Sequence, residues 1–117
     1  MKSQANSLTA AIIRFIVLSG GHAERVNNIA RKVINSAGVE CYAKSTNFKG
    51  TADIHAVKRI NLPDRVKLGQ FVAIEVKVGR DVQSQDQADY ADSVVKAGGV
   101  YFIARTFDDF EKQWNEI

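Results

Sequence analysis

A chain of 117 residues is long enough for one compact domain with one hydrophobic core and too short for two. Its 45% hydrophobic and 25% charged residues are those of an ordinary globular protein, and no apolar run is long enough to cross a bilayer, which excludes a membrane protein. A formal charge of +3 and a pI near 9.1 permit a polyanionic partner without requiring one, and the single cysteine, Cys41, excludes an intrachain disulfide and a thiolate metal cage.

The first element is a helix over residues 3–18, in which Leu8, Ile12, Phe15 and Ile16 recur at helical spacing until Gly20-Gly21 stops it. The run LTAAIIRFIVL is broken by Arg14 and followed by GGHAERVNN, without the basic leader or cleavage site of a secretory signal, so it is expected to stay in the mature chain. From Ala23 to Ala37 two readings stand. Val26, Ile29, Val33 and Ile34 fit the face of a second, less regular helix, which the asparagines weaken, and a strand and turn is the other reading. VECYAKS then reads as a short strand, with Cys41 as a small, partly buried residue, and KGTADIHAVKRI as a glycine turn leading into another strand.

INLPDRVKLGQ holds the only proline, Pro63, followed by Asp64, and marks a loop or hairpin. FVAIEVKV is the clearest strand. After the polar loop GRDVQ, a helix begins near Ser84 and runs through ADYADSVVKA to Gly98-Gly99. VYFIAR is a final strand and FDDFEKQWNEI a short amphipathic helix. The stretch from FVAIEVK through the Ser84 helix to VYFIAR has the form of a right-handed β-α-β crossover, so residues 1–117 are expected to form a single α/β domain, a mixed central sheet flanked by helices.

Basic residues concentrate ahead of FVAIEVK, at Arg25, Arg31, Lys32, Lys44, Lys49, Lys58, Arg59, Arg65 and Lys67, whereas the tail DDFEKQWNE is acidic. That asymmetry suits a basic face presented to phosphates, although a solvated lysine is the ordinary case.

FVAIEVKV itself poses a chemical question. Alternation along the strand puts Val72, Ile74, Val76 and Val78 on a core face, and Phe71, Ala73, Glu75 and Lys77 on the other. Glu75 and Lys77 therefore point the same way, where a lone charge would be costly to desolvate and the pair partly compensates. E-x-K alone is most simply a same-face ion pair. Asp53 changes the balance: in GTADIHAV it stands at the mouth of a strand that lies beside FVAIEVK if the Pro63 segment is a hairpin. Two neighbouring carboxylates repel unless a cation sits between them, and hard oxygen ligands suit Mg²⁺.

Asp53 followed by Glu75-x-Lys77, a helix and an apolar strand is similar to the pattern of PD-(D/E)XK nucleases, of the restriction-endonuclease-like fold. Arg25-Val26-Asn27, Lys49-Gly50-Thr51-Ala52-Asp53-Ile54, FVAIEVKVGRDVQSQDQ and AGGVYFIAR bring the chain closer to the VRR-NUC branch, over most of its length to about Arg105. The resemblance implies metal-dependent hydrolysis of DNA phosphodiesters. By matching position, Asp53 and Glu75 would be ligands of Mg²⁺ or Mn²⁺ with the backbone carbonyl of Val76, Lys77 would be the catalytic lysine, and Gln87 would lie near the active site. It also implies a homodimer, whose geometry suits a structure-specific substrate such as a branched DNA or a Holliday junction; the single cysteine separately suits a reducing bacterial or phage-infected cytoplasm. The chain departs from the branch in one respect: residues 1–21 hold no Asp or Glu where a helix glutamate often completes the acidic cluster, and Gln4 or Ser7 stands near that place. Glu24 could substitute if the chain after Gly21 folds back to the sheet.

Plainer readings compete at several positions. Ser84-Gln85-Asp86-Gln87 is a capping-box pattern, so Gln87 has a structural role open to it beside the catalytic one. His55 shares the face of Asp53 and is read first as an ordinary strand histidine. Ser45, Thr46 and Thr51 belong to no nucleophile motif. Arg25, Asn27, Lys49 and Arg80 are the candidate DNA contacts. Tyr42, Phe48 and Tyr90 could stack on bases, with core packing the first expectation for Phe48. A non-catalytic nucleic-acid-binding module on the same fold, and a sequence-specific restriction-type endonuclease, are the alternatives to a structure-specific enzyme.

Overall fold

The computed structural model of the protein describes residues 3–26, 31–43 and 48–117. Helix α1 (Gln4–Leu18) begins where the Ser3 hydroxyl accepts the Asn6 N–H, satisfying one of the donors that a helix start leaves open, and ends at Ser19 before Gly20 turns the chain with a positive φ of 94°. Ile12 and Ile16 are fully buried, which is the stripe expected from their spacing.

The described parts of the segment with two readings, residues 23–26 and 31–37, form strands and a turn. β1 (His22–Arg25) joins the main sheet, and β2 (Arg31–Ile34) pairs with β3 (Glu40–Ala43) as a separate antiparallel hairpin. The turn of that hairpin is held by Asn35, whose side-chain oxygen accepts the N–H groups of Ala37 and Val39, each at 3.0 Å. Asparagine is well suited to such side-chain-closed turns and poorly suited to a helix interior, so the strand-and-turn alternative wins. Cys41 on β3 is exposed, against the expectation of partial burial, because a two-stranded hairpin has no second layer of its own to cover it.

β4 (Ile54–Asn61), a 3₁₀ turn at Pro63–Arg65 and β5 (Lys67–Val76) form one long antiparallel hairpin. β5 thus starts four residues before FVAIEVKV. Helix α2 (Gln85–Lys96) then crosses to β6 (Val100–Ala104), which runs parallel to β5, and helix α3 (Phe107–Asn115) closes the chain. The sheet order is β1-β4-β5-β6, a mixed sheet in an α/β domain.

The two faces of the sheet divide as the alternation predicts. Val72, Ile74 and Val76 join Ile54, Ala56, Ile12, Ile16, Phe110 and Trp114 in the core, with Phe15 of α1 edge-on to Phe107 and Phe110 of α3 at 5.7 and 5.5 Å. Burying each large apolar side chain of this kind is worth roughly 1.5–3 kcal/mol. The opposite face, with Phe71, Ala73 and Glu75, lies under α2. Among the described residues no helix is long and apolar enough to cross a membrane.

Candidate active site

β4 ends its pairing at Ile54, opposite Ile74, so continuing the ladder would put residue 52 across from Val76. The chain departs instead, and the Asp53 carboxylate takes over: its Oδ2 accepts the Val76 N–H at 2.8 Å. Asp53 is fixed on its other side by β1, because its carbonyl accepts the Val26 N–H at 2.8 Å. In a strand, the N–H and C=O of one residue point to the same side, so the Val76 carbonyl is turned toward the same edge as Asp53. The next N–H, that of Lys77, points the other way and bonds the Ala104 carbonyl of β6 at 3.1 Å.

Glu75 projects from the α2 face and is only 3% exposed. Its Oε1 accepts Gln87 Nε2 at 3.1 Å and lies 3.9 Å from Lys77 Nζ, while its Oε2 is buried with no donor. A buried carboxylate oxygen without a donor carries a desolvation penalty that a proton or a cation would remove. The titration of Glu75 reflects this: burial, then the charge and a hydrogen bond of neighbouring Asp53, push its carboxyl up to about 8, with Lys77 pulling the other way.

Both readings of Gln87 hold at once. Its N–H donates to Ser84 Oγ at 3.2 Å and its Oε1 accepts the Ser84 N–H at 2.9 Å, completing the capping box, while the Nε2 end of the same amide reaches Glu75. The loop before Asp53 is set against this helix start by Gly50, which has φ 77° and lies so close that a Cβ there would overlap the Asp86 carbonyl.

Asp53, Glu75, Lys77, Gln87 and the Val76 backbone are therefore brought together. Three aromatic groups that the sequence did not single out as a cluster surround them. His55 Nε2 lies 3.0 Å from the Tyr90 hydroxyl, with burial lowering the histidine pKa against the opposing charge of Glu24. Tyr101, opposite Ala73 on β6, packs 6.2 Å from Tyr90 and accepts a hydrogen bond from Gln83 Nε2 at 3.3 Å. Burial raises the pKa of both phenols, and the Glu75 charge adds to it. The alternation of VYFIA carried the signal for Tyr101, once its register beside β5 is known.

The candidate DNA contacts are scattered. Lys49 and Arg80 are exposed, Lys49 on the wall of an open groove of about 920 Å³ between β5 and α2. Arg25 is turned to the opposite face of the sheet, where its Nη2 donates to Asn6 of α1 at 2.6 Å. Asn27 and the Tyr42 side chain lie outside the described residues. Phe48 does not pack in the core: it is 85% exposed on the same groove, because it stands in the loop before β4 rather than on a strand that faces the core. Glu24 sits on β1 opposite His55, on the face of Asp53, and pairs with His22 at 3.6 Å. The chain after Gly21 does fold back to the sheet.

Among the described residues no three His, Cys, Asp or Glu side chains form a ready metal cage. The donors present are two carboxylates and a backbone carbonyl, a hard oxygen set that fits a cation which keeps much of its water, and the orphaned Glu75 Oε2 is the observation that marks the place.

No family model matches the chain. Over 98 residues, 84% of its length, it is 26% identical to the cell division protein FtsZ of Neisseria meningitidis serogroup A / serotype 4A, and equally to that of serogroup B. The match spans 24% of the length of either relative. At this identity and coverage the likeness assigns no family.

Proposed function

We propose that the protein is a divalent-metal-dependent nuclease of the VRR-NUC kind that hydrolyses DNA phosphodiesters, with branched or junction DNA as its substrate and a homodimer as its working form. The observation that carries this reading is the buried Glu75 carboxylate beside Asp53, with its Oε2 left without a partner and its Oε1 3.9 Å from Lys77 Nζ. Asp53, Glu75 and the Val76 carbonyl would hold Mg²⁺ or Mn²⁺, which when bound supplies Lewis acidity at the scissile phosphate.

The chain's own residues have definite tasks in this reading. Gln87 holds Glu75 Oε1 and so fixes the carboxylate plane. Asp53 is held in place by the Val76 N–H at its Oδ2, with its carboxylate beside that of Glu75. The Lys77 side chain, 14% exposed, offers a positive charge to the negative charge that grows on the phosphoryl oxygens in the transition state. Exposed Phe48, on the groove beside α2, presents an aromatic face to an unstacked base of a branched substrate. A reducing bacterial or phage-infected cytoplasm suits the single thiol.

Labelled linear duplex, flap and four-way junction DNA, incubated with Mg²⁺, Mn²⁺ or EDTA, test the reading. Lys77→Ala is expected to cut at least ~100-fold more slowly while binding DNA about as well as the wild type. Equal cutting by the variant would sink the assignment. Tight binding without cutting in any condition would favour a non-catalytic nucleic-acid-binding module.

A further inference from the structure

The β4–β5 hairpin is longer than the sheet that contains it. β1 reaches only as far as Val57 on β4, and β6 reaches back only to Val72 on β5, so among the described residues no third strand pairs with the stretch from Lys58 to Phe71. They form a two-stranded arm that ends in the Pro63–Arg65 turn. A bare two-stranded ribbon is marginal in water, and this one exposes Leu62, Val66 and Leu68 as well.

The charge of the arm is one-sided. Residues 58–68 hold Lys58, Arg59, Arg65 and Lys67 against Asp64 alone, an excess as large as the +3 of the whole chain. Lys58 is committed to α3, where its Nζ donates to the carbonyls of Trp114 and Ile117 at 2.6 and 3.1 Å and sits 5.4 Å from the Trp114 ring. Arg59 and Lys67 are exposed, and among the described residues neither forms an ion pair. Arg59 has Gly69 as its cross-strand neighbour and Lys67 has Asn61, so no acidic side chain faces either one across the ribbon.

Alternation puts the Cβ atoms of both on the face of the site, and the Arg59 guanidinium extends from there alongside the Gly20 turn. Lys67, Gly69, Phe71, Ala73 and Glu75 share one side of β5, and His55, Val57 and Arg59 share that side of β4. The eight residue steps from Lys67 to Glu75 span roughly 27 Å at ~3.4 Å per residue, most of one ~34 Å turn of B-form DNA. The major groove, about 12 Å wide, admits a two-stranded β-ribbon.

We infer that the β4–β5 arm is a duplex-engaging ribbon, with Arg59 and Lys67 seated on backbone phosphates while the phosphodiester to be cut lies at Glu75 and Lys77. This rests on the proposed nuclease reading for its ligand. A polyanion fits the arm better than a second copy of the chain, because two such arms side by side would bring like charges together.

The test is equilibrium binding of a labelled 30-base-pair duplex in EDTA over a range of salt concentrations, comparing the wild type with the double variant Arg59→Gln, Lys67→Gln. Lys96→Gln, whose lysine pairs with Asp92 on α2, is the control. The double variant should bind at least ~10-fold more weakly, with the slope of log affinity against log salt reduced by about two, while Lys96→Gln behaves as the wild type. Unchanged affinity and slope overturn the inference, as does a wild type that binds no duplex. Unchanged binding with self-association of the double variant in sedimentation also overturns it, and would make the charges guards of a bare edge. Cleavage with Mg²⁺ is read separately, so a wild type that binds through the arm but does not cut refutes the nuclease reading and leaves the ribbon standing.

Discussion

A single amide ties the start of α2 to the acidic centre of the sheet: Gln87 Nε2 donates to Glu75 Oε1 at 3.1 Å while its Oε1 accepts the Ser84 N–H at 2.9 Å. Gln87→Ala removes both bonds and is expected to lower stability by about 1–2 kcal/mol. It also removes a donor to the charged form of Glu75, so that carboxyl should titrate higher still. Gln87→Glu keeps a capping box, since glutamate also serves at that position, but replaces the donor with a like charge; it too should drive Glu75 upward. Thermal denaturation and a carboxyl-carbon NMR titration of Glu75 separate the two roles. A Glu75 titration identical in all three proteins would refute the link.

The pH dependence of stability follows from Glu75 itself. Its carboxyl rises from an ordinary 4.5 to about 8 on folding, so between those values the folded chain keeps a proton that the unfolded chain has released. The contribution of Glu75 to stability is therefore fully present below pH 4.5 and is lost as the pH climbs through about 8. Chemical denaturation in the absence of divalent cations should show that decline, and Glu75→Gln, which cannot ionise, should flatten it. A wild type and variant with parallel profiles would contradict the titration assigned here.

Gly50 is a separate mechanical point. Its positive φ and its closeness to the Asp86 carbonyl mean that Gly50→Ala brings both backbone strain and a clash. A loss of about 2 kcal/mol or more is expected, with α2 pushed from the sheet and the Gln87 to Glu75 bond broken. Urea denaturation measures the loss. Wild-type stability in Gly50→Ala would show that the loop before Asp53 does not rest on the helix start.

The parts of this architecture set by local pattern were legible in the sequence. Period-two alternation sorted Val72, Ile74 and Val76 from Ala73 and Glu75, and the Ser84 to Gln87 spacing announced both the helix start and its cap. What escaped depended on register between distant segments. Tyr101 meets Tyr90 only because β6 lies in parallel beside β5 with Ala73 against Tyr101, and Glu24 reaches the site face only because four residues after Gly21 add an edge strand. The Arg25 guanidinium went to α1 for a similar reason, since it follows buried Ala23 by two positions and shares its face. Phe48 was misjudged because an aromatic in a loop carries no periodic sign of which way it turns.

The most direct test of the central claim is a calorimetric titration of the protein with Mn²⁺ or Mg²⁺ at pH 7 in buffers of different ionisation enthalpy. Glu75 holds its proton at that pH in the cation-free protein, so binding between Asp53 and Glu75 should release about one proton per ion. Saturable binding with that release, lost in Glu75→Gln and in Asp53→Asn, is the predicted result. No binding at millimolar cation, or binding unchanged in both variants, would contradict the account.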